Sequence, residues 1–411
     1  MSDLHELARL PHFRAFLAAR IISNLGNGMA PVALAFAVLG LPNATATSLS
    51  IILGVQAAVV VAVLPFGGVW ADRIGRIRAI AGSDMILGLL LIAQAVLFLT
   101  HLITVPMLIG FASITGFLHA IWYPSFTSVA PAVVPADKLQ SANSMISGVS
   151  AGASILGGAS AGLVVATIGA PWALLFDAFT FIVAGALVWT LRSLILPSSS
   201  KDTTWQQLKT GWGEFRATRW VFVIVISFAF ILMFFYGAHN VLGPVLMKEH
   251  YEGATSWAIV ITAESVGFLA GAVIGFKIRP RWPMRTAMLA MLTFVSFIGA
   301  MALQLPVWAI AITSFFAGVG TEVFQTLWYT TLQRGVPAQS LARISSYDAF
   351  GSMLLAPIGL ALAGPAFRAW GLTPSLWGAA AVIAVAICAG LAHPSVRLLR
   401  SDSPPLPAST V

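Results

Sequence analysis

Two glutamates and two histidines stand where ionisable side chains are costly. Glu264, Glu322, His119 and His239 all interrupt long apolar runs, and a charge buried in such surroundings must be paired or neutralised. A carboxylate in low dielectric trades its charge for a proton. Glu322 is therefore the first candidate for a group that carries a proton or binds a cation, and Glu264, halfway along its run, is the second. Either acid reads equally as one held by a fixed hydrogen bond. His119 is a third proton-coupling candidate, and both histidines divide between lining a cavity and packing. The chain offers little for catalysis. It has no H-E-x-x-H, no G-x-S-x-G and no phosphate-binding P-loop, so no enzyme, metal, cofactor or ATP-driven chemistry is expected.

Composition dictates the elements that carry these residues. Of 411 residues 58% are hydrophobic and only 9% charged, with a mean hydropathy of +0.91. Soluble domains carry about 25% charged residues. Apolar runs of about 20 residues, enough to cross about 30 Å of hydrocarbon as helix, recur along the chain. Helices satisfy their own backbone in lipid, and the alternating strands of a barrel are absent, so an all-α membrane protein is expected. Twelve spans are predicted near 15–40, 46–70, 79–100, 103–133, 139–167, 170–191, 220–247, 254–276, 284–304, 306–333, 340–366 and 373–393. The opening "MSDLHELARLPHFRAF" runs from charges straight into the first span, without the pattern of a cleavable leader. The one cysteine, Cys388, has no partner for an intrachain disulfide.

The net charge of +8 is explained by topology and not by nucleic acid. With both termini in the cytoplasm, the loops holding Arg73, Arg76 and Arg78, Lys138, Lys277 to Arg285, and Arg334 and Arg343 all face inward. Only Lys248 and Arg368 of the 22 Lys and Arg then face out, as the positive-inside rule requires. The expected location is the cell inner (plasma) membrane.

The polar stretch 192–219 divides six spans from six, giving expected bundles at 1–192 and 219–411 with a cytoplasmic linker at 193–218. Its "WQQLKTGWGEFRATR" portion is either an interfacial helix, with Trp205, Trp212 and Phe215 towards lipid, or a flexible link. The halves resemble each other. "VPADKLQSANSM" at Val134 returns as "VPAQSLARISSY" at Val336, and the same offset of 202 carries Gly157 to Gly359, Gly162 to Gly364 and Gly169 to Gly371. An offset of 208 takes Gly67 to Gly275, Arg73 to Arg281 and Gln56 to Glu264. A duplication into two pseudo-symmetric six-helix bundles follows, the plan of many secondary transporters.

Between the second and third spans stands "GGVWADRIGRIRAI" (67–80), which crowds Gly68, Asp72, Arg73, Gly75, Arg76 and Arg78 into one turn. Gly68 suits close helix approach and Gly75 a positive φ. The arginines anchor the loop inside. Asp72 needs a partner, either the nearby arginines or the start of the eleventh helix near Ala338–Leu341. This motif resembles that of the major facilitator superfamily over a twelve-span chain. "FRAFLAARIISNLGNGM" and "LARISSYDAFGSMLLAPIGLALAGP" resemble its branch of macrolide and multidrug efflux pumps and enterobactin exporters. The second half has Pro280 where the first has Asp72, so a single Asp72 latch is expected. Two departures stand out: the fourth span has no arginine, and "GVSAGASILGGASAG" in the fifth has no proline.

The resemblance implies that helices one, four, seven and ten line a central cavity. On these lie Asn24 and Asn27; His119, Trp122 and Tyr123; Tyr236, His239 and Asn240; and Glu322, Gln325 and Trp328. Gln56 joins them as the counterpart of Glu264. The aromatic residues suit stacking on a flat or cationic cargo or serve as packing anchors. Asp84 is expected to pair with Arg76 or Arg78, Asp177 to satisfy a local packing bond, Arg20 to sit near the inner mouth, and Arg343 with Asp348 to form a gate network. The implied function is proton-coupled export of hydrophobic or amphipathic small molecules by a monomer. Its alternatives are a dedicated exporter of a siderophore or other secondary metabolite, and a non-transporting scaffold or receptor.

Overall fold

A computed structural model describes residues 6–7, 10–126, 129, 133–135, 138–194 and 212–401. The described residues are 87% helical with no strand, and twelve helices among them are long and apolar enough to cross a membrane. The first six are α1 (Pro11–Leu39), α2 (Ala46–Ile74), α3 (Arg76–Leu99), α4 (Val105–Phe126), α5 (Leu139–Thr167) and α6 (Ala170–Trp189). Next come α7 (Arg219–Gly237, continued through a π turn at Ala238–Leu242 into Gly243–His250), α8 (Ala254–Lys277) and α9 (Pro283–Ala290 and Leu292–Ala302). The chain goes on through α10 (Val307–Gly335), α11 (Ala338–Met353 and Ala356–Trp370) and α12 (Leu372–Ala392), with a short α13 (Pro394–Arg397). All twelve coincide with predicted spans; most of 127–133, given above to the fourth, lies outside the described residues.

The interruptions have local causes. Pro244 lacks an N–H, and its ring clashes with the carbonyl four residues back, at Asn240, where α7 widens into the π turn. Pro357 acts in the same way on Met353, where α11 breaks. The break in α9 falls where Gly320 of α10 comes so close that a Cβ would meet the Ala290 carbonyl. Thr293 Oγ1 donates to that carbonyl instead, at 2.7 Å.

Contacts divide the chain into two units, Met1–Ser200 with Met247–Thr262, and Lys201–Leu246 with Ala263–Val411. In the first, α1 packs on α5 and α6, α3 on α4 and α6, and α2 on α4. Also within it, Lys248 Nζ reaches the Leu39 carbonyl, and α5 passes close to Ala258 at Gly162. In the second, α7 packs on α11 and α12, and α9 on α10 and α12.

The duplication is visible at single atoms. A Cβ on Gly157 would collide with the Leu25 carbonyl oxygen, and one on Gly359 with that of Met233. Gly116 abuts the Gln56 carbonyl as Gly318 abuts that of Glu264. Each pair is related by the two sequence offsets. Gly169 (φ 98°) and Gly371 (φ 83°), related by the first, open α6 and α12.

Large apolar side chains stand exposed on all twelve helices, Phe276 at 86% and Leu163 at 66% among them. Water would not tolerate that surface; hydrocarbon does. Residues 212–217 are helical, but Phe215 does not face lipid as expected. It is 3% exposed and stacks on Tyr347 at 5.5 Å, with Trp212 against both rings. An aromatic shelf on α11 is available to it, and packing there buries the whole ring. Trp205 lies outside the described residues.

Candidate functional site

The π turn of α7 presents His239 and Asn240 side by side, because a widened turn reduces the rotation between consecutive residues. Opposite, α8 supplies Glu264. His239 Nε2 lies 2.8 Å from Glu264 Oε2, and His239 Nδ1 lies 3.0 Å from Asn240 Oδ1. The side chains are 12% and 8% exposed. Phe235 stacks on the imidazole at 5.2 Å, Phe297 stands 6.0 Å away, and Tyr236 lies within electrostatic reach of Glu264. Sequence reasoning named His239, Asn240 and Glu264 separately; the structure brings them together.

The chemistry of this trio follows from its donors and acceptors. Asn240 Oδ1 can only accept, so Nδ1 carries a hydrogen. One further proton must then lie between Nε2 and Oε2, held as imidazolium with carboxylate or as neutral imidazole with carboxylic acid. Its loss would leave two lone pairs facing each other at hydrogen-bond distance, and α7 and α8 would lose this link. The contact thus ties one proton to the geometry of two membrane-spanning helices.

Glu322, the other acid singled out, is half-buried on α10 and has no ion pair among the described residues. It packs against Gly271, about two turns along α8 from Glu264, or about 10 Å by helical rise. His119 is half-buried on α4, and Thr321, its counterpart, bonds the Ala317 carbonyl at 2.8 Å.

Other candidates are placed as follows. Asn24 Nδ2 donates to the Arg20 carbonyl (2.7 Å) and Asn27 Nδ2 to Ser23 Oγ (3.3 Å). Gln56 and Gln325 are half-buried and Tyr123 is 62% exposed. Trp328 departs from the expected lining role. It is 3% exposed, stacks with Phe324 and donates to Asp348 Oδ2 at 2.8 Å, so its ring is enclosed by protein. Trp122 stacks on Phe126 at 4.8 Å, and the Arg20 guanidinium lies 5.2 and 4.2 Å from the two ring centroids.

Two expected pairings are replaced, and one of the two partners expected for Asp72 is found. Arg76 bonds Asp72 at 2.6 Å, one turn back across the positive-φ Gly75 (93°). Asp84 turns inward instead, 3% exposed and within electrostatic reach of Arg20 on α1. An arginine with an aromatic platform is already desolvated there, so it makes the stronger partner. Arg343 does not join Asp348. It makes a two-pronged bond to Glu214, at 2.6 and 3.0 Å, whereas Asp348 accepts from Trp328 and Ser352. Glu214 sits in a segment read as linker, and only its spacing ahead of α7 could have hinted at this. Asp177 does make the expected local bond, accepting from Thr180 Oγ1 at 3.3 Å. Gly68 lies within α2, and Arg73 is exposed. No group of His, Cys, Asp or Glu among the described residues could hold a metal.

Twelve membrane-length helices in two copies of one pairing scheme define the architecture of a secondary transporter. Solved structures share it, three of them as follows. A bacterial homologue of the iron transporter ferroportin, in an inward-facing state, superposes with a TM-score of 0.73 at 14% identity, over 94% of this chain and 100% of that one. The nucleoside transporter NupG gives 0.70 at 12%, over 93% and 98%. A bacterial homologue of the human lysosomal transporter Spinster, inward-facing and unoccupied, gives 0.69 at 16%, over 96% and 100%. A search of curated protein sequences finds no match. The sequence profile of the Major Facilitator Superfamily matches residues 16–359, and the chain belongs to that family.

Proposed function

We propose that this protein exports hydrophobic or amphipathic small molecules in exchange for protons, by alternating access across the inner membrane, as a monomer with both termini in the cytoplasm. The observation that carries the reading is the His239–Glu264 contact of 2.8 Å, which holds one proton between two spans. Glu322, on α10, supplies a second acid packed against α8. The efflux branch that the sequence resembles supports the direction, and the scarcity of fixed charge supports apolar cargo. One proton moved through about 100 mV supplies about 2.3 kcal/mol, a concentration ratio of several tens at about 1.4 kcal/mol per decade.

The test uses full-length protein in liposomes with an imposed pH gradient and a panel of lipophilic dyes and antibiotics. In Glu264→Gln the amide can donate to Nε2 where the acid proton stood, keeping the contact without a titratable proton. Gradient-driven accumulation should fall about tenfold or more, and gradient-free exchange should stay within about threefold. Unchanged accumulation would sink the reading. Glu322→Gln, run alongside, should lower accumulation as well; an unaffected rate would leave Glu264 as the only carrier. A scaffold would release no protons on addition of any compound.

A further inference from the structure

The loop between α8 and α9 is the duplicated copy of the Asp72 loop, with Pro280 in place of the aspartate. In the first copy Asp72 neutralises Arg76. The second has no such acid, and a cavity of about 610 Å³ opens beneath it. Three arginines from three elements converge on this cavity: Arg279 from the loop, Arg334 from the end of α10 and Arg400 from the chain beyond α13. All three are exposed, and among the described residues the lining contains no carboxylate and none of the three forms an ion pair. The wall is built and not incidental, since Ser401 N–H donates to the Arg281 carbonyl at 3.1 Å and straps the C-terminal segment across the loop.

Helix termini do not cancel this charge. α8 and α10 end here and contribute about half a negative charge each, offset by about half a positive charge from the start of α9 at Pro283. Three guanidinium groups therefore leave a clear positive excess. Thr330 and Thr331 add hydroxyl groups, and buried Trp220 gives one wall an apolar surface. Guanidinium groups recognise phosphate oxygens in paired geometry. At the rim Phe276, 86% exposed, faces hydrocarbon, and the positive-inside orientation sets the cavity at the leaflet where anionic lipids concentrate.

We infer that this cavity is a binding site for a phosphate group, separate from the proton-carrying contact and independent of what the protein transports. Two sources have that chemistry, a phospholipid headgroup and a soluble phosphate. The full chain would be purified into phosphatidylcholine nanodiscs. Retention of phosphatidylglycerol would be read by native mass spectrometry, and binding of inorganic phosphate by calorimetry. The wild type should bind one of the two probes. Arg334→Gln with Arg400→Gln should weaken that binding by about tenfold or more, each arginine near a surface being worth about fivefold. A control pair of equal charge outside the cavity lining, Lys277→Gln with Arg285→Gln, removes the same surface charge without touching the cavity, so its loss should fall well short of the cavity pair's. Phosphatidylglycerol retention assigns a lipid headgroup, and phosphate binding alone assigns a soluble ligand. Binding of neither probe, or an equal loss in the control pair, overturns the site. All four side chains tested are exposed, so thermal melting should match the wild type throughout.

Discussion

Replacing Asp84 with asparagine would strand Arg20. The arginine lies against Trp122 and Phe126, its Nε has no hydrogen-bond partner among the described residues, and Asp84 is the acid within its reach. The two make no direct ion pair among the described residues. Removing one charge still leaves the other without compensation, at a cost of about 1–3 kcal/mol, whereas replacing both with apolar groups is often near neutral. Asp84→Asn should therefore lower the unfolding midpoint in detergent well below that of Arg20→Leu with Asp84→Leu. A single variant as stable as the wild type would show that the two charges do not interact. At this scale the sequence was legible in type and not in pairing. It marked Glu264, His239, Asn240, Arg20 and Asp84 as costly residues needing a reason, because rarity in apolar runs is visible in one dimension. Asp84 facing Arg20, and Arg343 pairing with Glu214, depend on which faces meet, which periodicity does not reveal.

Helices meet here through glycine, and the glycines sort cleanly by what surrounds them. A Cβ on Gly359 would strike the Met233 carbonyl, whereas one on Gly148 would find nothing within 4 Å. Backbone cannot yield as a flexible side chain does, so Gly359→Ala should destabilise by about 1–3 kcal/mol through overpacking. Gly148→Ala should be neutral or stabilising by up to about 1 kcal/mol, from reduced chain entropy and better helix propensity. Midpoints of thermal unfolding for the two variants separate the cases, and equal midpoints would mean that α7 and α11 are not in contact at Gly359. The spans themselves were readable because a run of apolar residues needs no partner to declare itself. The π turn was not readable: Pro244 frees the Asn240 carbonyl, but a kink, a break and a widened turn all satisfy the same constraint.

For the chain as a whole, duplication was legible because two offsets ran through loops and glycines alike, and residues related by those offsets make equivalent contacts in the two halves: Leu25 with Gly157, and Met233 with Gly359. Orientation rests on charge alone and can be tested directly. With Cys388 replaced by alanine, a single cysteine at Lys277 or at Glu252 reports the side on which each end of α8 lies. Lys277 closes α8, and Glu252 stands in the turn ahead of it. A membrane-impermeant maleimide should label Glu252→Cys in intact cells and Lys277→Cys only in inverted vesicles. Both residues are exposed, so failure to react cannot be blamed on burial in the fold. The reverse pattern would place Arg73, Arg76, Arg78, Arg279 and Arg281 outside, against an electrostatic preference of about 1 kcal/mol for each basic residue near an anionic leaflet. It would also move the cavity proposed to bind phosphate to the outer leaflet and reverse the side from which the proton proposed for the His239–Glu264 contact would be loaded.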